Sequence, residues 1–121
     1  MKHIVFVEDE SSLQKILGEA LSKEGYNVTS ALDGATGLNT IKALKPDLVL
    51  LDLILPKIDG FEVLKKIKSD PEIKKIPVVV LTNLEGVEDI DKALELGATT
   101  YLVKENYSLE EVVEKIKKAI K

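Results

Sequence analysis

Asp47-Leu48-Val49-Leu50-Leu51-Asp52-Leu53-Ile54-Leu55-Pro56 narrows the fold of this chain more than any other stretch. An apolar run with no polar alternation is the pattern of a strand covered on both faces, and such strands belong to parallel sheets flanked by helices. Pro46 before the run and Pro56 at its end bound its length. Asp52 breaks the pattern. An ionised carboxylate among Leu, Val and Ile needs an opposite charge, a metal or an open strand end. Open parallel sheets bind ligands beyond the carboxyl ends of their strands, which puts Asp52 where chemistry is expected.

The flanking sequence alternates strand and helix patterns. His3–Val7 reads as a short strand ending in Glu8-Asp9-Glu10. Ser11 and Gln14 have capping-box spacing, and Leu13, Ile16, Leu17, Ala20 and Leu21 then recur at helical intervals until Gly25. Asn27–Ala31 is a second strand, and Asp33-Gly34 opens a helix directing Ala35, Leu38, Ile41 and Leu44 inward, ended before Pro46. Beyond Asp52, Asp59 with Glu62 caps a third helix carrying Phe61, Leu64 and Ile67 on its inner face, and Ser69-Asp70-Pro71 breaks it. Ile76–Thr82 is the fourth strand. The fourth helix, with Val87, Ile90, Ala93 and Leu94, is weakly specified because Glu85-Gly86 puts a flexible residue at its first turn, and Gly97 closes it. Thr99–Val103 is the fifth strand, Lys104 follows, and Ser108 with Glu111 caps a last helix bearing Leu109, Val112, Val113, Ile116 and Ile120.

Five strand–helix pairs without repeat or linker predict one α/β domain over residues 1–121: a flavodoxin-like, doubly wound (βα)5 fold with a parallel five-stranded sheet ordered 2-1-3-4-5. A closed parallel barrel needs roughly 200 residues or more. The net charge of −4 and a pI near 5.1 argue against direct nucleic-acid binding. The absence of cysteine excludes disulfides and thiol chemistry. No long apolar segment or cleavage signal is evident, so the chain is expected in the cytoplasm, away from membranes.

In the 2-1-3-4-5 order the first and third strands are neighbours, so Glu8, Asp9 and Asp52 converge on one crevice. Unit charges about 4 Å apart repel by roughly 4 kcal/mol at an effective dielectric near 20, so the cluster calls for a cation. Oxygen ligands without nearby His or Cys favour Mg²⁺. Thr82 and Lys104 close the other side of Asp52. A carboxylate nucleophile, a cation site, a hydroxyl and an ammonium together suit receipt of a phosphoryl group.

With these residues in place, the chain resembles a receiver domain of the two-component response regulators. The resemblance rests on Glu8-Asp9, Asp52 in LVLLDLILP, the Pro56–Gly60 turn, Thr82 and Lys104. It implies that Asp52 accepts phosphate from a histidine kinase or histidine phosphotransfer protein. It also implies Mg²⁺ held by Asp9, Asp52, the Ile54 backbone carbonyl and, through water, Glu8. Lys104 and Thr82 would bind the phosphoryl oxygens. Tyr101 matches the aromatic position that swings inward as Thr82 moves, remodelling the face of the fourth helix, fifth strand and fifth helix for a downstream protein partner.

Three departures from the family pattern matter. Glu105 stands where the family usually has proline after the lysine, which predicts a trans Lys104–Glu105 bond or a strained cis one. Ile54 and Leu84 flank water's route to the phosphoryl group and are both apolar, implying slow hydrolysis of the phosphorylated state. Thr99-Thr100 precedes Tyr101 where one large transcription-factor subfamily has acids, so a stand-alone receiver docking to a partner is expected, monomeric when unphosphorylated and not an enzyme beyond its own phosphorylation and dephosphorylation. Two other readings are a receiver-like interaction scaffold with impaired phosphorylation, and a small Mg²⁺-dependent phosphohydrolase. Ile54 speaks against the latter, since such enzymes place a second Asp two residues after the nucleophile.

Overall fold

The computed structural model describes residues 1–120. Strands β1 (His3–Val7), β2 (Asn27–Ala31), β3 (Leu48–Leu51), β4 (Val78–Thr82) and β5 (Thr100–Val103) alternate with helices α1 (Ser11–Lys23), α2 (Gly34–Leu44), α3 (Gly60–Ser69), α4 (Val87–Glu95) and α5 (Leu109–Ala119). They form one parallel sheet ordered β2-β1-β3-β4-β5, as the pattern of buried runs predicts.

Side-chain alternation along the strands divides the core in two. Val5, Val7, Val49, Leu51, Val78 and Val80 face α2 and α3, packing on Leu38, Ile41, Val63, Leu64 and Ile67. Ile4, Phe6, Leu48, Leu50, Val79 and Leu81 face α1 and α5, packing on Leu17, Leu21, Val112, Val113 and Ile116. The central strands are thus apolar on both faces because both faces are covered. Gly25 and Gly97, with φ of 96° and 107°, take the left-handed conformation just past α1 and α4.

Several local expectations shift. β3 stops at Leu51, so Asp52 lies just past the last paired residue rather than inside the strand, and β4 and β5 begin later than predicted. Leu44, expected to point inward, and Ile16, part of the helical repeat of α1, are exposed, because α1 and α2 each present a narrower stripe to the sheet than their apolar residues span. The Ser11–Gln14 capping box does not form: Glu10 is the N-cap residue, without a side-chain cap, and Gln14 is buried. Asp59 accepts from Glu62 N at 3.1 Å, and Ser108 and Glu111 make both bonds of their box. α4 fully buries only Ala93, while Val87 is 72% exposed, in keeping with its weak sequence signal.

Register carries the strand ends to one level. Val7 pairs with both Ala31 and Leu51, so Glu8 and Asp52 emerge side by side. Thr82 pairs with Val103, which puts Lys104 one residue beyond. The start of α3 packs so closely on this end of β3 that a Cβ on Gly60 would overlap the Asp52 carbonyl and Leu53 Cα. Gly60→Ala is therefore expected to lower the unfolding free energy by about 1–3 kcal/mol. Gly18→Ala, in the middle of α1 with nothing near its virtual Cβ, is expected to raise it by about 0.4–1 kcal/mol. Urea unfolding of the two variants checks both signs.

Candidate functional site

Four polar side chains are buried among the described residues, Glu8, Gln14, Asp52 and Thr82, and all lie at or beside the carboxyl end of the sheet. Burial of ionisable groups requires compensation, and Lys104 provides it. Its Nζ sits 2.8 Å from Glu8 Oε1, 3.0 Å from Asp52 Oδ2 and 4.0 Å from Glu10 Oε1. The amine reaches this position from a 3-10 turn, Lys104–Asn106, with the Lys104–Glu105 bond trans.

One ammonium faces several acids, and protonation reflects the imbalance. Burial, opposed by the Lys104 hydrogen bond and reinforced by the Asp52 charge, pushes the Glu8 carboxyl up from 4.5 to about 7. For Lys104, burial would lower the pKa, but its bonds to Glu8 and Asp52 outweigh it and hold the ammonium above its usual range. Carboxylate oxygens of Glu8, Asp9 and Asp52 lie within 4.8 Å of one another, with Asp9 exposed at the mouth. This oxygen-only set, with a charge that a single lysine leaves under-compensated, fits a hard divalent cation such as Mg²⁺. Ile54 N donates to Asp52 Oδ1 at 3.2 Å, orienting the carboxylate, and the Ile54 side chain is 53% exposed beside it.

Thr82 and Tyr101 meet at one backbone unit. Leu84 N donates to Thr82 Oγ1 at 3.4 Å, and the Tyr101 hydroxyl donates to the Leu84 carbonyl at 2.7 Å. Burial, with the charges of Asp89 and Asp52, pushes the Tyr101 phenol up to about 12. Thr82 is fully buried and makes no direct bond to Asp52.

The structure thus gathers Glu8, Asp9, Asp52 and Lys104 into one cluster, with Thr82 and Tyr101 joined through Leu84 beside it. Sequence reading missed Gln14, whose Nε2 donates to the Phe6, Glu8 and Ala31 carbonyls at 2.9, 3.0 and 2.9 Å. The available signal was its spacing: residues 14, 17 and 21 share the inner face of α1, so a glutamine there demanded buried partners.

Comparison with known proteins agrees with this geometry. The family model described as "Response regulator receiver domain" matches residues 4–117. The "Probable transcriptional regulator ycf27" of Guillardia theta is 43% identical over 101 residues, 84% of this chain and 39% of that protein. The chain therefore spans about two fifths of that relative's length. Among solved structures, the phosphorylated cyanobacterial phytochrome response regulator RcpA is 36% identical with a TM-score of 0.84, covering 97% of this chain and 89% of that one. The Mn²⁺-bound form of response regulator Rcp1 is 32% identical with a TM-score of 0.83, covering 98% and 91%.

The raised Glu8 pKa fixes the sign of a stability effect. The folded protein holds this proton more tightly than the unfolded chain, so the associated stabilisation is complete below pH 4.5 and lost as pH rises through about 7. In chelator, Glu8→Gln is expected to gain on wild type by on the order of 1–3 kcal/mol between pH 4.5 and 8. Urea midpoints across that range check it, and a constant difference would refute the assignment.

Proposed function

The chain belongs to the response regulator receiver domain family, and on that premise we propose that it is a phosphoacceptor switch of a two-component system, modified on Asp52. The observation that carries this reading is the approach of the Lys104 ammonium to 3.0 Å from Asp52, beside an acidic pocket. In the transfer, an Asp52 carboxylate oxygen forms the new O–P bond as the N–P bond of a donor phosphohistidine breaks, and the imidazole keeps the electron pair and takes a proton. Mg²⁺ held by Asp9, Asp52 and the Ile54 carbonyl, with Glu8 through water, would offset negative charge on the transferring group. Lys104 leaves Glu8 or Asp52 to pair with a phosphoryl oxygen, and Thr82 donates its hydroxyl to another. The solved relatives carrying phosphorylation and Mn²⁺ support both parts of the reading.

Tyr101 transmits the change in this proposal. Its bond to Leu84, and Leu84's to Thr82, make the loop before α4 respond when Thr82 shifts, altering the α4–β5–α5 face for a downstream protein. The donor is a histidine kinase or histidine phosphotransfer protein, the setting cytoplasmic and the resting chain monomeric. A constitutive scaffold remains the second reading, motivated by Glu105 in place of proline.

Incubation with Mg²⁺ and acetyl phosphate separates them. Intact-mass analysis is expected to show gain of one phosphoryl group, absent from Asp52→Ala and without Mg²⁺; an unmodified wild type supports the scaffold. Ile54 and the half-buried Leu84 offer no polar group to orient an attacking water. Ile54→Asn is accordingly expected to shorten the phosphoprotein half-life severalfold, and an unchanged half-life would rule out this shielding role.

A further inference from the structure

Among the described residues, Gln14 is the one buried polar side chain with no place in the acid–lysine cluster or the Thr82 relay. It is 7% exposed, and its Nε2 lies within 3.0 Å of three carbonyl oxygens, those of Phe6, Glu8 and Ala31. Three acceptors around one atom fix the amide orientation, since the reverse would set Oε1 against all three. Oε1 is consequently left buried with no hydrogen-bond partner among the described residues. An unpartnered buried acceptor is unfavourable, and only the bonds from the two amide hydrogens, shared among the three carbonyls, offset it.

Those donations act on the residues that carry the cation site. The Glu8 carbonyl ends on Gln14, and the Glu8 N–H donates to the Ala31 carbonyl at 3.0 Å, the same oxygen that Gln14 holds. Both peptide groups of Glu8 are thereby tied to one amide at the junction of β1, β2 and α1, immediately before Asp9. The tie fixes the backbone where carboxylate oxygens of Glu8, Asp9 and Asp52 must lie within 4.8 Å of one another, a crowding that Lys104 offsets only in part. We propose that Gln14 is a positioning residue of the cation site, clamping the backbone of Glu8 so that Glu8 and Asp9 stay assembled against Asp52. The inference rests on the reading of Glu8, Asp9 and Asp52 as a Mg²⁺ site.

The test is Mg²⁺ titration of wild type and Gln14→Met, followed by backbone amide NMR shifts. Methionine keeps the length and helix propensity of glutamine, and removes both the amide donors and the unpartnered Oε1 while leaving the three carbonyls in place. Mg²⁺ affinity is expected to fall about tenfold, as for other residues that orient metal ligands. The phosphorylation rate with acetyl phosphate is expected to return to the wild-type value at saturating Mg²⁺. Weaker packing alone would lower stability without this separation. A folded variant with wild-type affinity overturns the proposal and leaves the cation site standing; a wild type that binds no Mg²⁺ overturns both. Should Gln14→Met fail to fold, the wild type decides: coupling is reciprocal, so saturating Mg²⁺ must slow exchange of the Gln14 side-chain amide protons. Equal exchange with and without Mg²⁺ overturns the proposal.

Discussion

One ammonium group held among carboxylates is the constraint around which this structure is arranged. Lys104 touches Glu8 and Asp52, which would otherwise be two buried acids with no opposite charge beside them. Removing one partner of a buried charged pair typically costs about 3–5 kcal/mol, so the pocket's acids and its lysine depend on one another for their burial. The sheet register is what allows the arrangement. With Val7 opposite Leu51 and Thr82 opposite Val103, strand ends distant in sequence open onto one ledge. Sliding a strand by one residue would exchange its two faces and bury a different set of side chains.

Such a pocket is poised rather than saturated. Lys104 neutralises part of the charge, and the remainder appears in the Glu8 carboxyl, pushed up to about 7 by burial before anything else binds. In the proposed function a second cation and a phosphoryl group would be complementary additions, the first offsetting the acids and the second drawing the lysine from them.

How much of this was legible in the sequence depends on whether the information was local. The β3 run and the Asp59 and Ser108 caps all follow from residues near one another; the caps stand where they were predicted, and the run ends one residue earlier, at Leu51. Gln14 shows the limit. Ser11 and Gln14 satisfy the local capping pattern, but three carbonyls from β1, β2 and their ends compete for the glutamine amide and win, because a buried carbonyl has no water to turn to. Ile16 and Leu44 fail for a related reason: periodicity counts apolar residues but cannot tell how wide a stripe the sheet will cover. Leu84 was read only as a side chain beside the phosphoryl group, whereas its backbone joins Thr82 to Tyr101, a role that side-chain chemistry does not encode.

The aim of Lys104 is where sequence and geometry weigh most directly on function. Glu105 in place of proline was the motive for reading the chain as an interaction scaffold with impaired phosphorylation. The peptide is trans, and the chain turns at once into a short 3-10 segment spanning Lys104–Asn106. Lys104 is the first residue of that turn. The long lysine stem then spans what remains, bringing Nζ within hydrogen-bonding distance of Asp52. A flexible four-carbon side chain tolerates this substitution of backbone route because its charge, unlike an arginine fork, has no preferred plane to satisfy. The backbone here departs from the family habit while the amine still reaches the Asp52 carboxylate.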